Sequence, residues 1–134
     1  MTQPNHLKEL LNYATRIGVL AKLERTEKGQ MEKAQMENLL ASLEMTEDPA
    51  LCLLVTAAYA HRQFSRGLIG RETAKLVNKA MSWLYEQNLK REEARKLLGL
   101  AKWIYECLEK TRISIEWNKI KELTFEEFLE KLRG

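Results

Sequence analysis

The sequence contains little of the residue types on which most enzymes and most β-rich folds depend. It has one Asp, two His, two Cys, two Pro and six Gly among 134 residues. Sandwiches and barrels of short strands need frequent Asp, Gly and Pro turns, so the composition argues against them. Catalysis that relies on Asp or His would have very few candidates. We therefore expect no enzyme, no catalytic residues and no cofactor.

Motifs that bind phosphates or metals are also missing. No Gly-rich loop is followed by the GKS or GKT of a nucleotide-binding motif, and no H-E-x-x-H or C-x-x-C pattern occurs. Cys52 and Cys107 are 55 residues apart, a spacing that matches no zinc pattern. We expect no metal site and two small buried thiols in a reducing compartment.

Long hydrophobic runs are absent as well. The first residues lack the basic and apolar regions of a secretory signal. The longest apolar run, Ala50 to Ala60, is interrupted only by Thr56 and has 11 residues, whereas a membrane helix needs about 20. These features predict a cytoplasmic protein that does not enter a membrane.

The abundant residues are helix formers, and they predict an all-α fold. The chain has 18 Glu, 13 Lys and 9 Arg, with apolar residues at helical spacing along most of its length. We expect one domain over residues 1–134, a bundle of five major helices with a short C-terminal helix. The five predicted helices run from about Pro4 to Arg25, Gln30 to Met45, Pro49 to Arg66, Arg71 to Gln87 and Leu89 to Thr111. A capping box at Thr124 predicts the short helix, which ends near Leu132.

The third predicted helix is the most apolar. Asp48 and Pro49 are typical of a helix start, and Gly67 is typical of a helix end. Because its residues are apolar on every face as far as Ala60, we expect it to be buried on all sides and central in the fold.

The fifth predicted helix has a second apolar face, formed by Leu100, Trp103 and Cys107. This face indicates that the helix is sandwiched, either inside the domain or against a partner. Leu100 and Trp103 are therefore candidate interface residues. Trp83 and Trp103 offer rings that can stack on nucleic-acid bases, although packing in a core is the commoner role of such residues.

Charge is distributed unevenly along the chain. The formal charge is −2 for residues 1–48, +6 for residues 49–104 and −1 for residues 105–134. The basic side chains of the middle segment recur at intervals of four, which places them on common helix faces. We expect those near the turn from Gly67 to Gly70 to share one surface, with only Glu72 to offset them. The candidate nucleic-acid-binding residues are Arg62, Arg66, Arg71, Lys75, Lys79, Arg91 and Arg95.

Such a surface suits a nucleic-acid backbone. Arg and Lys neutralise phosphates and release counterions without reading base sequence. Four of the cations lie near helix starts, where the helix dipole favours acids, so helix stability does not account for them. Two other interpretations remain open: a solvated face that balances the acidic helices, and a docking surface for an acidic protein.

The middle of the chain also resembles a known family. The resemblance is carried by the run LLVTAAYAHRQFSRGLIGRETAKLVNKAMSWLY and the later LLGLAKWIYECLEK. These segments resemble the small α-helical subunits of type III CRISPR effector complexes over roughly residues 50–110. The aliphatic helix that passes through Ala-Tyr-Ala into Arg62 is similar to the middle helix of that family.

The resemblance implies a role in antiviral defence as a non-catalytic subunit of a ribonucleoprotein complex. Copies would stack along the complex, with possible self-association, and their basic faces would contact guide or target RNA. Leu100 and Trp103 would then contact neighbouring subunits. The alternative is a helical protein–protein adaptor with no nucleic-acid role.

Overall fold

The structure is a computed structural model that describes residues 4–134. The predicted all-α bundle of five major helices and a short C-terminal helix is confirmed. The helices are α1 Pro4–Leu23, α2 Lys33–Ser42, α3 Leu51–Ser65, α4 Arg71–Glu86, α5 Arg91–Cys107 and α6 Phe125–Arg133. A small antiparallel hairpin, β1 Arg25–Thr26 and β2 Gly29–Gln30, follows α1, and a 3₁₀ helix, Trp117–Glu122, precedes α6.

The five major helices form a closed ring around one apolar core. Going around the ring, α1 packs on α4, α4 on α3, α3 on α2, α2 on α5, and α5 on α1. The 3₁₀ helix and α6 pack on α1 from outside the ring. As a result α1 is covered on its outer side as well, and nearly all of its residues from Leu10 to Ala21 are buried.

The expectation that the third helix is central and buried on all sides is wrong. Leu51 and Leu54 of α3 are 47% and 42% exposed, and Ala58 is exposed too. In a ring each helix keeps one outward face, and only α1 has that face covered by later parts of the chain. Apolar composition indicates how much surface a helix can bury, but it does not indicate which helix the 3₁₀ helix and α6 will cover.

The closest helix contact in the ring depends on Gly18. A Cβ at this position would lie 2.5 Å from the carbonyl oxygen of Ala101 and 2.8 Å from Cβ of Ile104. Both distances are shorter than real Cβ contacts, so only glycine lets α1 and α5 approach this closely.

Two of the predicted helix starts are confirmed. Asp48 Oδ1 accepts hydrogen bonds from the backbone N–H groups of Ala50 and Leu51, at 2.9 and 2.8 Å. These two bonds lower the pKa of Asp48, and α3 begins at Leu51, two residues after the predicted start. At α6, Thr124 and Glu127 form the predicted capping box.

The fifth helix begins at Arg91, two residues after its predicted start at Leu89, because Asn88 ends the preceding helix. Asn88 has a φ of 61° and belongs to the end of α4, where the Leu89 N–H donates to the Leu84 carbonyl at 2.9 Å. This is a Schellman ending, in which Asn takes the left-handed position more usual for Gly. The helix α5 therefore begins at Arg91.

Candidate nucleic-acid interface

The turn between α3 and α4 is built as the sequence predicts. Gly67 has a φ of 75°, and the N–H of Leu68 donates to the carbonyl of Gln63 at 3.0 Å. This pattern ends α3 and turns the chain so that α4 runs back antiparallel to it.

The start of α4 is capped from a distance by Glu24, which is only 8% exposed. Its carboxylate accepts hydrogen bonds from the N–H groups of Glu72 and Thr73, both at 2.8 Å, and from the Thr73 hydroxyl at 2.6 Å. A Cβ on Gly70 would overlap this carboxyl group, so glycine is required there. Sequence reasoning missed this cap because Glu24 and Thr73 are 49 residues apart.

The turn is also more acidic than expected. The prediction that only Glu72 offsets the cations is wrong, because Glu24 and Glu27 both lie against the turn. A Cβ on Gly67 would come within 3.1 Å of Cβ of Glu27. The β1–β2 hairpin after α1 brings this acidic pair to the turn, which a reading along the chain could not reveal.

Arg62 and Arg66 lie on the side of α3 that faces α2. Both donate to Oε1 of Gln63, at 3.0 and 3.4 Å, and Gln63 in turn donates to Gln35 of α2 at 2.9 Å. Arg62 lines a groove of about 660 Å³ between α2 and α3. Both arginines are exposed, and Arg62 lies at one end of this largely apolar groove.

Lys75 and Lys79 lie elsewhere, at a cavity of about 140 Å³ between α1, α4 and the 3₁₀ helix. Two further cations, Arg16 of α1 and Lys121 of the 3₁₀ helix, line the same cavity. We call it the α1–α4 cavity, and its full lining is Tyr13, Arg16, Glu72, Lys75, Leu76, Lys79 and Lys121.

The expectation of one shared basic surface is therefore wrong. In the ring, α3 and α4 are neighbours, with α2 beyond α3 and α1 beyond α4. Arg62 faces the α2 side and Lys75 and Lys79 face the α1 side, so the two groups are on opposite sides of the α3–α4 pair. Arg71 lies at the start of α4, with its guanidinium 5.5 Å from the ring centre of Phe64.

The α1–α4 cavity is strongly positive. Its four cations face one carboxylate, Glu72, which leaves 4 − 1 = +3 formal charges. A hydrogen bond from Lys121, together with the charges of Lys121 and Lys75, lowers the pKa of Glu72, which therefore remains ionised at neutral pH. Lys75 Nζ is 3.8 Å from Glu72, whereas Lys79 has no ion-pair partner within residues 4–134.

Tyr13 adds a hydrogen-bond donor to this cavity. Burial, with a contribution from Glu9, raises the pKa of the Tyr13 hydroxyl, so the group keeps its proton. The Tyr13 ring packs against Trp83 with a centroid separation of 5.3 Å, and His6 contacts the same indole edge-on at 6.1 Å. Trp83 is thus half-buried against α1 beside the cavity.

Arg91 and Arg95, the remaining basic candidates, both bind other parts of the same chain. The half-buried guanidinium of Arg91 donates to the carbonyls of Leu43, Thr46 and Asp48, at 3.1 Å for Leu43 and 3.3 Å for Asp48. Arg95 Nε donates to Glu44 at 3.0 Å on the surface. Both residues tie the start of α5 to the end of α2 and the loop after it.

The second apolar face of α5 is open in the monomer. Trp103 is 69% exposed and Leu100 is half-buried. The interpretation of Trp103 as a core residue is therefore wrong. The expected burial of Cys107 is also wrong, because its side chain is exposed, whereas Cys52 is buried as expected. The ring geometry explains this result, because α5 contacts α1 and α2 through its other faces. The interface role of Leu100 and Trp103 stays a prediction.

Arg16 and Lys121 are the site residues that sequence reasoning missed. Each lies in a segment of negative net charge, and no periodicity links them to Lys75 or Lys79. Arg16 is held in place by a hydrogen bond from its Nε to the Leu123 carbonyl at 2.9 Å. The packing of α1 on α4 brings Arg16 to Lys75 and Lys79, and the packing of the 3₁₀ helix on α1 adds Lys121.

Comparison with known proteins gives no assignment: no family model matches the chain, and no curated protein matches it. Within residues 4–134, no three His, Cys, Asp or Glu side chains come together in a group that could hold a metal ion. None of the helices in this range combines the length and the apolar character needed to cross a membrane.

Proposed function

We propose that this protein is a non-catalytic RNA-binding structural subunit of a CRISPR-type ribonucleoprotein complex in the cytoplasm, and that it contacts the RNA backbone at the α1–α4 cavity. The observation that carries the proposal is the convergence of Arg16, Lys75, Lys79 and Lys121 from three separate elements around one small cavity. Cations that repel one another are brought together by the fold there, with one carboxylate to offset them.

Phosphate chemistry fits this arrangement. Lysine ammonium groups are mobile point charges that neutralise phosphates, and the Arg16 guanidinium offers further donors once its Nε is bound to the protein. Tyr13 contributes a protonated hydroxyl that can donate to a phosphate oxygen. Because none of these groups forms a rigid base-reading pattern, binding should depend on backbone charge and little on sequence.

The resemblance of residues 50–110 to small type III CRISPR subunits supports RNA as the ligand, in the form of guide or target RNA. It also supports assembly with other subunits of the complex. Of the nucleic-acid-binding residues predicted from the sequence, we assign Lys75 and Lys79 to the RNA contact. Arg62 and Arg66 form a secondary basic edge on the α2 side of α3, and Arg71 lies beside Phe64 at the start of α4. Arg91 and Arg95 hold the start of α5 to the end of α2 and the loop after it.

The test is binding of a fluorescent single-stranded RNA at low salt, measured by anisotropy. The double reversal K75E/K79E should weaken binding by roughly tenfold or more, because backbone binding is dominated by charge at the contact. The matched control is K28E/K110E, which makes the same change in net charge at exposed lysines outside the cavity. Undetectable binding by the unmodified protein, or equal losses in the two variants, contradicts the proposal.

A helical protein–protein adaptor is the second candidate, and exposed Trp103 is the observation that favours it. An adaptor would form a stable complex that survives K75E/K79E but is lost on Trp103→Ala or Leu100→Asp. Purification of the native complex with identification of its components separates the two functions, since only the ribonucleoprotein subunit should carry RNA with it.

A further inference from the structure

The outer face of α3 is an apolar stripe that no other part of the described chain covers. Leu51, Leu54 and Ala58 are exposed along it at helical spacing. Met45, in the loop before α3, is 75% exposed beside the same stripe and lines the α2–α3 groove together with Val55. Clustered apolar side chains of this kind mark interaction sites more often than isolated ones do.

The direction of the groove follows from two polar contacts between α2 and α3. Ser42 contacts Thr56 at 2.8 Å, and Gln63 donates to Gln35 at 2.9 Å, so the two helices run antiparallel. The groove therefore has Met45 near the start of α3 and Arg62 near its end. Small side chains line its middle, including Ala41 and Ala58, which permits close approach of another helix.

The charges at the two ends of the stripe are opposite. Glu47 and Asp48 precede α3, and Arg62 and Arg66 lie in its last turn and just after it. Glu47 and Arg62 are both exposed, and neither has an ion-pair partner within residues 4–134. A second α3 laid antiparallel across the stripe meets opposite charge at both ends, whereas a parallel one meets like charge at both.

We propose that α3 is a self-association surface, on which a second copy of this chain packs its own α3 antiparallel about a twofold axis. A twofold contact uses the same patch on both copies, so the pairing of an acidic end with a basic end occurs twice, once at each end of the contact. Leu54 and Ala58 lie at the centre of the contact, and the Glu47–Arg62 pairs lie at its rim. The antiparallel arrangement also places the positive N-terminal end of each helix dipole beside the negative C-terminal end of the other, which is favourable.

This proposal does not rest on RNA binding. The α3 stripe faces away from the α1–α4 cavity, so substitutions at Leu54 leave the proposed phosphate contacts intact. Equally, K75E/K79E leaves the α3 contact intact. A failure of one proposal is therefore distinguishable from a failure of the other.

The first experiment measures the oligomeric state of the full chain by sedimentation equilibrium. We expect a concentration-dependent dimer, and Leu54→Lys should weaken it by roughly tenfold or more because it places a charge in an apolar contact. The control is Leu129→Lys, at a leucine of similar exposure on α6. Circular dichroism verifies that each variant is folded. If the protein stays monomeric up to about 1 mM, which is the weak end of specific affinities, the proposal is overturned. This holds even if a different protein binds the α3 stripe.

The second experiment tests the antiparallel register by exchanging the rim charges. Arg62→Glu and Glu47→Arg should each weaken the dimer by a few-fold, because each places like charges together at both ends. The double variant E47R/R62E restores opposite charge at both ends and should recover the dimer to within about twofold of the unmodified protein. Additive losses in the double variant overturn the antiparallel pairing.

Discussion

The helices α4 and α5 each carry two cations four residues apart, yet the surroundings of the two pairs differ. At α5, Arg91 and Arg95 are four residues apart, and both are bound to the protein, one to three backbone carbonyls and the other to Glu44. At α4, Lys75 and Lys79 are also four apart, but they face a cavity with two further cations. Spacing in the sequence is the same in both pairs, so only the surroundings separate a structural cation from an available one.

The difference has a physical cause in how each helix start is completed. The helix α5 begins beside the end of α2 and the loop after it, so the guanidinium of Arg91 can donate to the carbonyl of Leu43 at the helix end and to those of Thr46 and Asp48 in the loop. The first N–H groups of α4 are satisfied instead by the buried carboxylate of Glu24. The cations of α4 are therefore not needed for the helix junction.

The largest expected effect on stability comes from Arg91. Arg91→Ala should lower the free energy of unfolding by about 2 kcal/mol, because it removes charged hydrogen bonds to half-buried carbonyls. Urea denaturation measures the change, and RNA affinity should remain within twofold of the unmodified protein. An unchanged urea midpoint, or a large loss of RNA affinity in a folded Arg91→Ala variant, would contradict the view that Arg91 stabilises the fold whereas Lys75 and Lys79 are available to a ligand.

Arg95 should matter much less to stability, although it belongs to the same pair. Its contact with Glu44 is a surface ion pair, so Arg95→Ala should cost about 0.5 kcal/mol, and the cost should shrink at high salt. The same denaturation experiment at two salt concentrations measures it. A cost as large as that of Arg91→Ala would mean that the pair acts as one structural unit.

The smallest expected effect concerns Glu72, the one carboxylate of the α1–α4 cavity. Glu72→Gln should tighten RNA binding by roughly two- to threefold, since it removes an opposing charge and releases Lys75 and Lys121. Anisotropy at fixed salt measures the change, and Glu92→Gln on α5 is the matched control, because Glu92 pairs with Lys96 on the surface. Weaker binding by the Glu72→Gln variant would indicate that the carboxylate positions the lysines instead of competing with RNA.

The same carboxylate gives the sign of a pH effect. The pKa of Glu72 is lowered in the folded protein, so its pairing stabilises the fold above the pKa of the unfolded chain. That contribution is lost as the pH falls through the lowered value. In the proposed function RNA competes with this carboxylate for the lysines, so protonation of Glu72 should favour RNA binding while it removes the ion pairing.

Local signals made most of the helices predictable. Asp48, Gly67 and Thr124 act within a few residues of their own helix ends, and such signals survive in a single sequence. The arrangement of the helices in a ring was not predictable, because α3 is the most apolar helix and α1 is the most enclosed. Enclosure is decided by where the 3₁₀ helix and α6 pack, and nothing local specifies that packing.

The candidate site divides in the same way. The common face of Lys75 and Lys79 follows from helical spacing alone. Arg16 and Lys121 join them only through packing between distant segments, and Arg62 is separated from them by the same packing. The cap that Glu24 forms at the start of α4 was not predictable from the sequence either. The charge pattern of the sequence therefore predicted two residues of the candidate site, but it did not predict which other residues join them.

The most direct test of the central claim is the salt dependence of single-stranded RNA binding by the unmodified protein and by K75Q/K79Q. Each neutralised phosphate contact should contribute a slope of about −0.7 to the plot of log affinity against log salt concentration. If Lys75 and Lys79 both contact phosphates, the double variant should have a slope shallower by about 1.4, with unfolding stability unchanged. An identical slope in the two proteins would contradict the assignment of the α1–α4 cavity as the RNA contact.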